Sequence, residues 1–128
     1  MSQWIWVARS VVLALHDEQL AEHGGGSGLR DEGLLDSALA RPLNLESYGD
    51  PDAADLAAAY AFGVAKNHPF VDGNKRTAAV AMELFLDQNG YELTATDEAL
   101  VLTILALADG SSSETDLADW VRGNMRKV

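Results

Sequence analysis

The strongest hydrophobic signal in the chain runs from Ala78 to Leu86, where every position but Glu83 is apolar. At that length, a stretch apolar on all sides predicts a helix buried on nearly every face. Ahead of it, Ala53 to Ala65 is rich in alanine, with Leu56, Tyr60, Phe62 and Val64 supplying bulk. This second helix starts at Asp50-Pro51-Asp52, with an acid as N-cap and a proline in the first turn, and runs to about Asn67. Between the two helices lies a polar decapeptide, His68 to Thr77. Pro69 disfavours helical geometry at His68 and ends the first of them there.

The remaining pattern is also helical. From Ser10, Val11, Val12 and Leu15 form one stripe, continued less cleanly to Leu20, with His16 beside it in a structural place. Glycines at 24, 25, 26 and 28 end that helix. They lack the spacing of a P-loop and read as a connector. Asp31 is the expected N-cap of a short helix using Leu34, Leu35, Ala38 and Leu39, closed by Pro42. Leu43 to Gly49 has no periodicity and predicts an irregular segment. Asn89-Gly90 stops the Ala78–Leu86 helix, and Tyr91 to Thr94 alternates as an extended link. Thr96 opens a helix to Leu107 with a broad apolar face at Leu100, Val101, Ile104 and Leu105, ended by Gly110. Ser113 and Asp116 have the spacing of a capping box ahead of Leu117, Trp120 and Val121. Arg122, Arg126 and Lys127 suit the negative end of that last helix. The expectation is an all-α bundle of about six helices around the Ala78–Leu86 helix, one domain over 1–128.

Candidate chemistry concentrates in the decapeptide. Lys75 and Arg76 fall in the first turn of the helix that follows, at the positive end of its dipole, where exposed cations cost about 0.3–1 kcal/mol each. An anion in the mouth, held by free backbone N–H groups and both cations, would reverse that cost. Gly73 lets backbone and ligand approach closely. Asp72 has two readings, a cap for the helix or a ligand for a Mg²⁺ that accompanies a nucleotide phosphate. His68 would be a base beside phosphate and metal, a constellation for phosphoryl or nucleotidyl transfer.

Composition narrows the setting. The 128 residues suffice for a single packed core, and no run of eighteen apolar residues predicts a membrane span. Trp4 to Val7 is too short for a signal peptide. A net charge of −11, with nine Lys and Arg and no cluster above two in a row, argues against a nucleic-acid partner. The absence of cysteine fits a reducing cytoplasm.

The decapeptide resembles the motif of the Fic/Doc family, H-x-F-x-[DE]-G-N-G-R-x-x-R. His68, Phe70, Asp72, Gly73, Asn74 and Arg76 match residue for residue. Lys75 stands in place of the second Gly and Ala79 in place of the last Arg, which is the pattern of the Doc branch, the death-on-curing toxins. The flanks Gly28-Leu29-Arg30-Asp31 and Leu34 to Pro42 are similar to the upstream block of that branch, so the resemblance covers nearly the whole chain.

The resemblance implies ATP-dependent transfer to a protein hydroxyl. His68 would be the general base and Asp72 would hold Mg²⁺. Gly73 and Asn74 would shape the anion hole, and Lys75 and Arg76 would neutralise phosphate charge. Arg30 could face the site, and Leu43 to Gly49 corresponds in position to a flap that aligns the target. Doc-type toxins phosphorylate a threonine of elongation factor Tu and block translation; AMP transfer is the Fic-type alternative, and a non-catalytic binding module is a third. The S/T-x-x-x-E-[GN]-N pattern of self-inhibited relatives is not found, which implies a separate antitoxin supplying an inhibitory helix.

Overall fold

The computed structural model describes residues 3–128. In chain order the elements are α1 (Arg9–His23), α2 (Glu32–Tyr48), α3 (Ala53–Asn67), α4 (Asn74–Gln88), β1 (Tyr91–Leu93), α5 (Asp97–Asp109), α6 (Glu114–Gly123) and β2 (Met125–Lys127). Among the described residues the six expected helices form, and the fold is all-α apart from one two-stranded sheet. No helix of the described residues is long and apolar enough to cross a membrane.

Sequence-local capping sets most of the starts. Asp31 accepts from Leu34 N, Thr96 from Ala99 N, and Ser113 with Asp116 forms a complete capping box. The start of α3 lies two residues later than expected. Asp52, not Asp50, is its N-cap, in a capping box with Asp55, and Pro51 precedes the helix.

The helix buried all round is α3, where eleven of fifteen residues are buried. It touches α2, α4, α5 and α6. Its alanines bring little area each, but they let four neighbours pack close to one axis. α4 meets the expectation of a buried helix on one face only. Thr77, Ala78, Ala81, Met82, Phe85 and Leu86 turn into the core, while Ala79, Val80, Glu83 and Leu84 are half-buried.

Pro42 does not close α2 but lies buried inside it, and the helix runs on to Tyr48. The proline has no N–H for the carbonyl of Ala38. That carbonyl lies against α3 at Gly63, where an added Cβ would come within 2.9 Å of it. Leu43 to Tyr48 is therefore helical, and no flap forms there. Leu43, Leu45 and Tyr48 are exposed, which is why their pattern carried no helical period.

The chain ends are tied to the bundle. Trp4 and Trp6 pack on Phe85, with ring centroids 6.1 and 6.0 Å away, and Val7 N donates to the Tyr60 hydroxyl. Asn89 joins the backbone of Ile5 through both ends of its amide. The extended link at Tyr91 pairs antiparallel with Met125–Lys127. Arg126 and Lys127 thus lie on a strand, not at the end of α6. Arg126 pairs with Glu92, and Arg122 alone of the three basic residues stands in the last turn of α6.

Candidate active site

Between α3 and α4 the chain makes a tight loop that begins with a strained residue. His68 caps α3 in the left-handed region (φ 50, ψ 55), the one non-glycine residue with positive φ among those described. The proline behind it disfavours the right-handed helical region. Left-handed geometry costs a non-glycine residue roughly 1 kcal/mol or more, so neighbours must hold it. Arg30 does so: Nε donates to the His68 carbonyl at 2.7 Å and Nη2 to the Asn67 carbonyl at 2.9 Å. Arg30 thus acts on the backbone at the end of α3.

The glycine-rich segment is more than a connector, because it forms the second wall of this loop. Arg30 N and Asp31 N donate to the Pro69 carbonyl, Val71 N donates to the Gly28 carbonyl, and Leu29 bridges Phe70. Gly25 (φ +123) lies so near Asp72 that an added Cβ would sit 2.7 Å from Oδ2.

Inside the loop, the buried Asn74 closes a ring with Phe70. Its Oδ1 accepts from Phe70 N at 2.9 Å and its Nδ2 donates to Phe70 O at 3.0 Å. Both ends of the Asn74 amide are engaged here, and its backbone N–H stands at the start of α4. Asp72 does not cap α4. The N-cap is Gly73, in the left-handed region (φ 79, ψ 15), and no side chain caps the helix. Asp72 Oδ1 accepts from Gly73 N at 2.9 Å, and Oδ2 lies 3.4 Å from Gly26 N. The first N–H to bond back along α4 is that of Thr77, to Gly73 O. The N–H groups of Asn74, Lys75 and Arg76 therefore stand at the helix mouth without intrahelical partners.

These groups open on one groove of about 790 Å³. His68, Asp72, Gly73, Asn74, Lys75 and Arg76 all line it. His68, Asp72 and Lys75 are exposed there. Arg76 is half-buried: its Nη2 reaches the Gly24 carbonyl at 3.3 Å, and its Nε has no partner among the described residues. Ala79 lines the same groove, so both positions that separate the Fic and Doc patterns face it. Uncapped N–H groups, a dipole and two cations make this helix mouth fit for an anion. One exposed carboxylate beside it fits a Mg²⁺ that arrives with phosphate, since Mg²⁺ takes most of its ligands from water and phosphate.

Beyond the helix mouth the groove runs between α4 and α5. Val80, Val101 and Leu105 line it with Glu83 and Asp97. Of the expected apolar face of α5, Leu100 and Ile104 are buried, whereas Val101 and Leu105 stay exposed at this groove. Burial raises the Glu83 carboxyl above its ordinary value, and the charges of Asp97 and Asp87 add to the rise.

One contributor to the loop was missed from sequence. His16 is 2% exposed, stacks on Phe70 with ring centroids 3.7 Å apart, and places Nε2 2.7 Å from the Asp72 carbonyl oxygen. The buried positions of α1 are Val12, His16 and Gln19, so His16 lies on the buried stripe and not beside it. The available signal was the i, i+4, i+7 spacing, hidden because two of the three residues are polar.

Comparison with known proteins gives consistent matches. The model of the Fic/DOC family matches residues 6–86. "Protein kinase doc" of Escherichia phage P1 is 34% identical over 112 residues, covering 87% of this chain and 88% of that protein. "Toxin Doc" of Mycolicibacterium smegmatis is 47% identical over 76 residues, covering 56% of this chain and 57% of that protein.

Proposed function

The chain belongs to the Fic/DOC family, and on that premise we propose that it is a Doc-type toxin. In this reading it moves the γ-phosphoryl group of ATP to a protein hydroxyl, a threonine of elongation factor Tu, and thereby blocks translation. The observation that carries the reading is that His68, Asp72, Lys75 and Arg76 line one groove around the uncapped start of α4.

In the proposed reaction His68 takes the proton of the acceptor hydroxyl as its oxygen attacks the γ-phosphorus. The new O–P bond forms while the bond from that phosphorus to the β–γ bridging oxygen breaks, and ADP leaves. The N–H groups at the mouth of α4, with Lys75 and Arg76, stabilise the charge on the phosphate oxygens. Mg²⁺, when bound, neutralises part of the same charge, and Asp72 is the carboxylate that would hold it.

Lys75 and Ala79 support phosphate transfer over AMP transfer. A lysine in place of glycine crowds the nucleotide pose of the AMP-transferring relatives, and alanine removes the arginine that grips the distal phosphates in it. Both side chains line the groove, where they bear on the nucleotide's orientation. The exposed apolar residues Val101 and Leu105 support the further reading that an antitoxin lays an amphipathic helix along the α4–α5 groove.

The test is label transfer in bacterial extract with Mg²⁺ and no antitoxin. Label from γ-labelled ATP on one protein, lost in His68→Ala, is expected. Label from the α position instead would replace phosphate transfer by AMP transfer. No His68-dependent label from either would leave a non-catalytic binding module. In parallel, expression of the protein alone should arrest growth, and a co-expressed antitoxin should restore it.

A further inference from the structure

His16 combines features that simple core packing does not require. It is 2% exposed, yet it directs a ring nitrogen at the backbone of the motif loop. The carbonyl oxygen of Asp72 can only accept, so at 2.7 Å the His16 Nε2 must carry the hydrogen. The other nitrogen, Nδ1, lies 4.0 Å from the Asp17 carboxylate, beyond hydrogen-bond reach. The ring lies nearly parallel to Phe70, at an interplanar angle of 8°. It also packs under the next residue of the turn, since a Cβ on Gly73 would lie 3.6 Å from His16 Cδ2. One imidazole therefore engages two residues of the loop, Phe70 by its face and Asp72 by a hydrogen bond, and fills the space a side chain at Gly73 would need.

The hydrogen bond bears on what the turn displays. The Asp72 carbonyl belongs to the peptide unit whose N–H is that of Gly73, and Gly73 is the residue from which α4 starts. A rotation of that peptide unit would turn the Gly73 N–H away from Asp72 Oδ1, which it meets at 2.9 Å. It would also reorient the first N–H groups of α4. We propose that His16 is a positioning residue: its Nε2–H fixes the Asp72–Gly73 peptide, and so aims the Asp72 carboxylate and the mouth of α4 into the groove. The proposal rests on the functional reading above where it concerns nucleotide binding, and on geometry alone where it concerns the turn.

Two substitutions separate the bond from the packing. His16→Phe keeps a ring against Phe70 and removes the donor. His16→Gln removes the ring and keeps an N–H donor at nearly the same reach. The bond predicts that His16→Phe weakens Mg²⁺-ATP affinity, read by calorimetry, by roughly 10–100-fold, the usual loss for an outer partner of a metal-binding group. It predicts that His16→Gln stays within a few-fold of the parent. In His16→Phe the Gly73 amide should exchange with solvent faster while core amides of α3 stay protected. A packing role alone predicts the reverse order of the two variants and would overturn the proposal.

The unsubstituted protein offers a check that no folding defect can obscure. Its His16 ring nitrogens should give the shifts of the Nε2–H tautomer by ¹⁵N NMR. A bare Nε2 would overturn the proposal outright. Should the parent bind no Mg²⁺-ATP, the transfer reading fails by that control, and the tautomer and the Gly73 exchange still decide the role of His16.

Discussion

Arg30 meets His68 at its backbone, not at its imidazole: the guanidinium Nε of Arg30 donates to the His68 carbonyl at 2.7 Å. The same guanidinium reaches the Asn67 carbonyl, so it covers the last two carbonyls at the end of α3. A planar fork suits two adjacent acceptors in a way an ammonium does not. It also holds His68 in its left-handed conformation while leaving the imidazole exposed to the groove.

Arg30→Ala and Arg30→Lys should therefore lose activity out of proportion to stability. Loss of hydrogen bonds from a charged donor costs about 1.5–3 kcal/mol when buried, and less at this exposed position. The melting temperature should fall by a few degrees, while label transfer, assayed well below melting, falls at least tenfold. Lysine should rescue little of it. Activity that tracks only the folded fraction would leave Arg30 a purely structural cap.

The strongest part of this site was legible as a string, because its chemistry is local. The end of α3 at His68 before a proline, Gly73 at a helix start, and two cations in the first turn all follow from adjacent residues; the left-handed conformation of His68 does not, since the distant Arg30 holds it. What sequence hid depends on long-range contacts. His16 looked like a polar residue beside an apolar stripe until Phe70 was placed against it. Pro42 reads as a helix stop unless Gly63 of another helix is known to face the carbonyl it frees. The sheet needed Tyr91 and Lys127 to meet, and neither segment alone states its partner. The capped helix starts were legible at Asp31, Thr96 and Ser113, and missed by two residues at Asp52, where two acids flank one proline.

Asp72→Asn tests the metal assignment. Asparagine keeps an oxygen that can accept from Gly73 N, so the turn should persist and the melting temperature should barely move. It removes the charge that a hard divalent cation selects. Affinity for Mg²⁺-ATP, titrated by calorimetry, should drop about tenfold or more, with a smaller change for ATP measured in chelator. Equal affinity of the two proteins for Mg²⁺-ATP would remove Asp72 from metal binding.

Asp52 and Arg122 tie the start of α3 to the end of α6. Arg122 reaches Asp52, Asp55 and Asp119 at 2.7–2.9 Å. The hydrogen bond from Arg122 holds the Asp52 carboxyl at about 2, below its ordinary 3.8. A carboxyl lowered on folding contributes stability above its unfolded value, and this is lost as pH falls through the folded one. Arg122→Gln should lower the melting temperature at neutral pH, by an amount consistent with exposed pairs worth roughly 0.2–1 kcal/mol each. The difference from the parent should shrink as pH falls from about 4 to about 2. A gap that persists at the lowest pH would assign the effect to packing of the arginine stem and not to the charges.

Glu83 should show the opposite pH behaviour. It is half-buried where α4 faces α5, and burial first, then the charges of Asp97 and Asp87, raise its carboxyl above 4.5. A carboxyl raised on folding binds its proton more tightly in the folded state than in the unfolded one. Between 4.5 and the raised value the folded state holds more protons, so stability falls as pH rises through that window. Above it the ionised carboxylate keeps a constant cost. Glutamine has nearly the same shape and no charge. Glu83→Gln should therefore melt higher than the parent at neutral pH, and the two curves should converge below about pH 4, where the parent's carboxyl is protonated in both states. A Glu83→Gln protein that melts lower at neutral pH would mean that the ionised group has a favourable partner, and that the α4–α5 groove is not the desolvating, acidic surface described above.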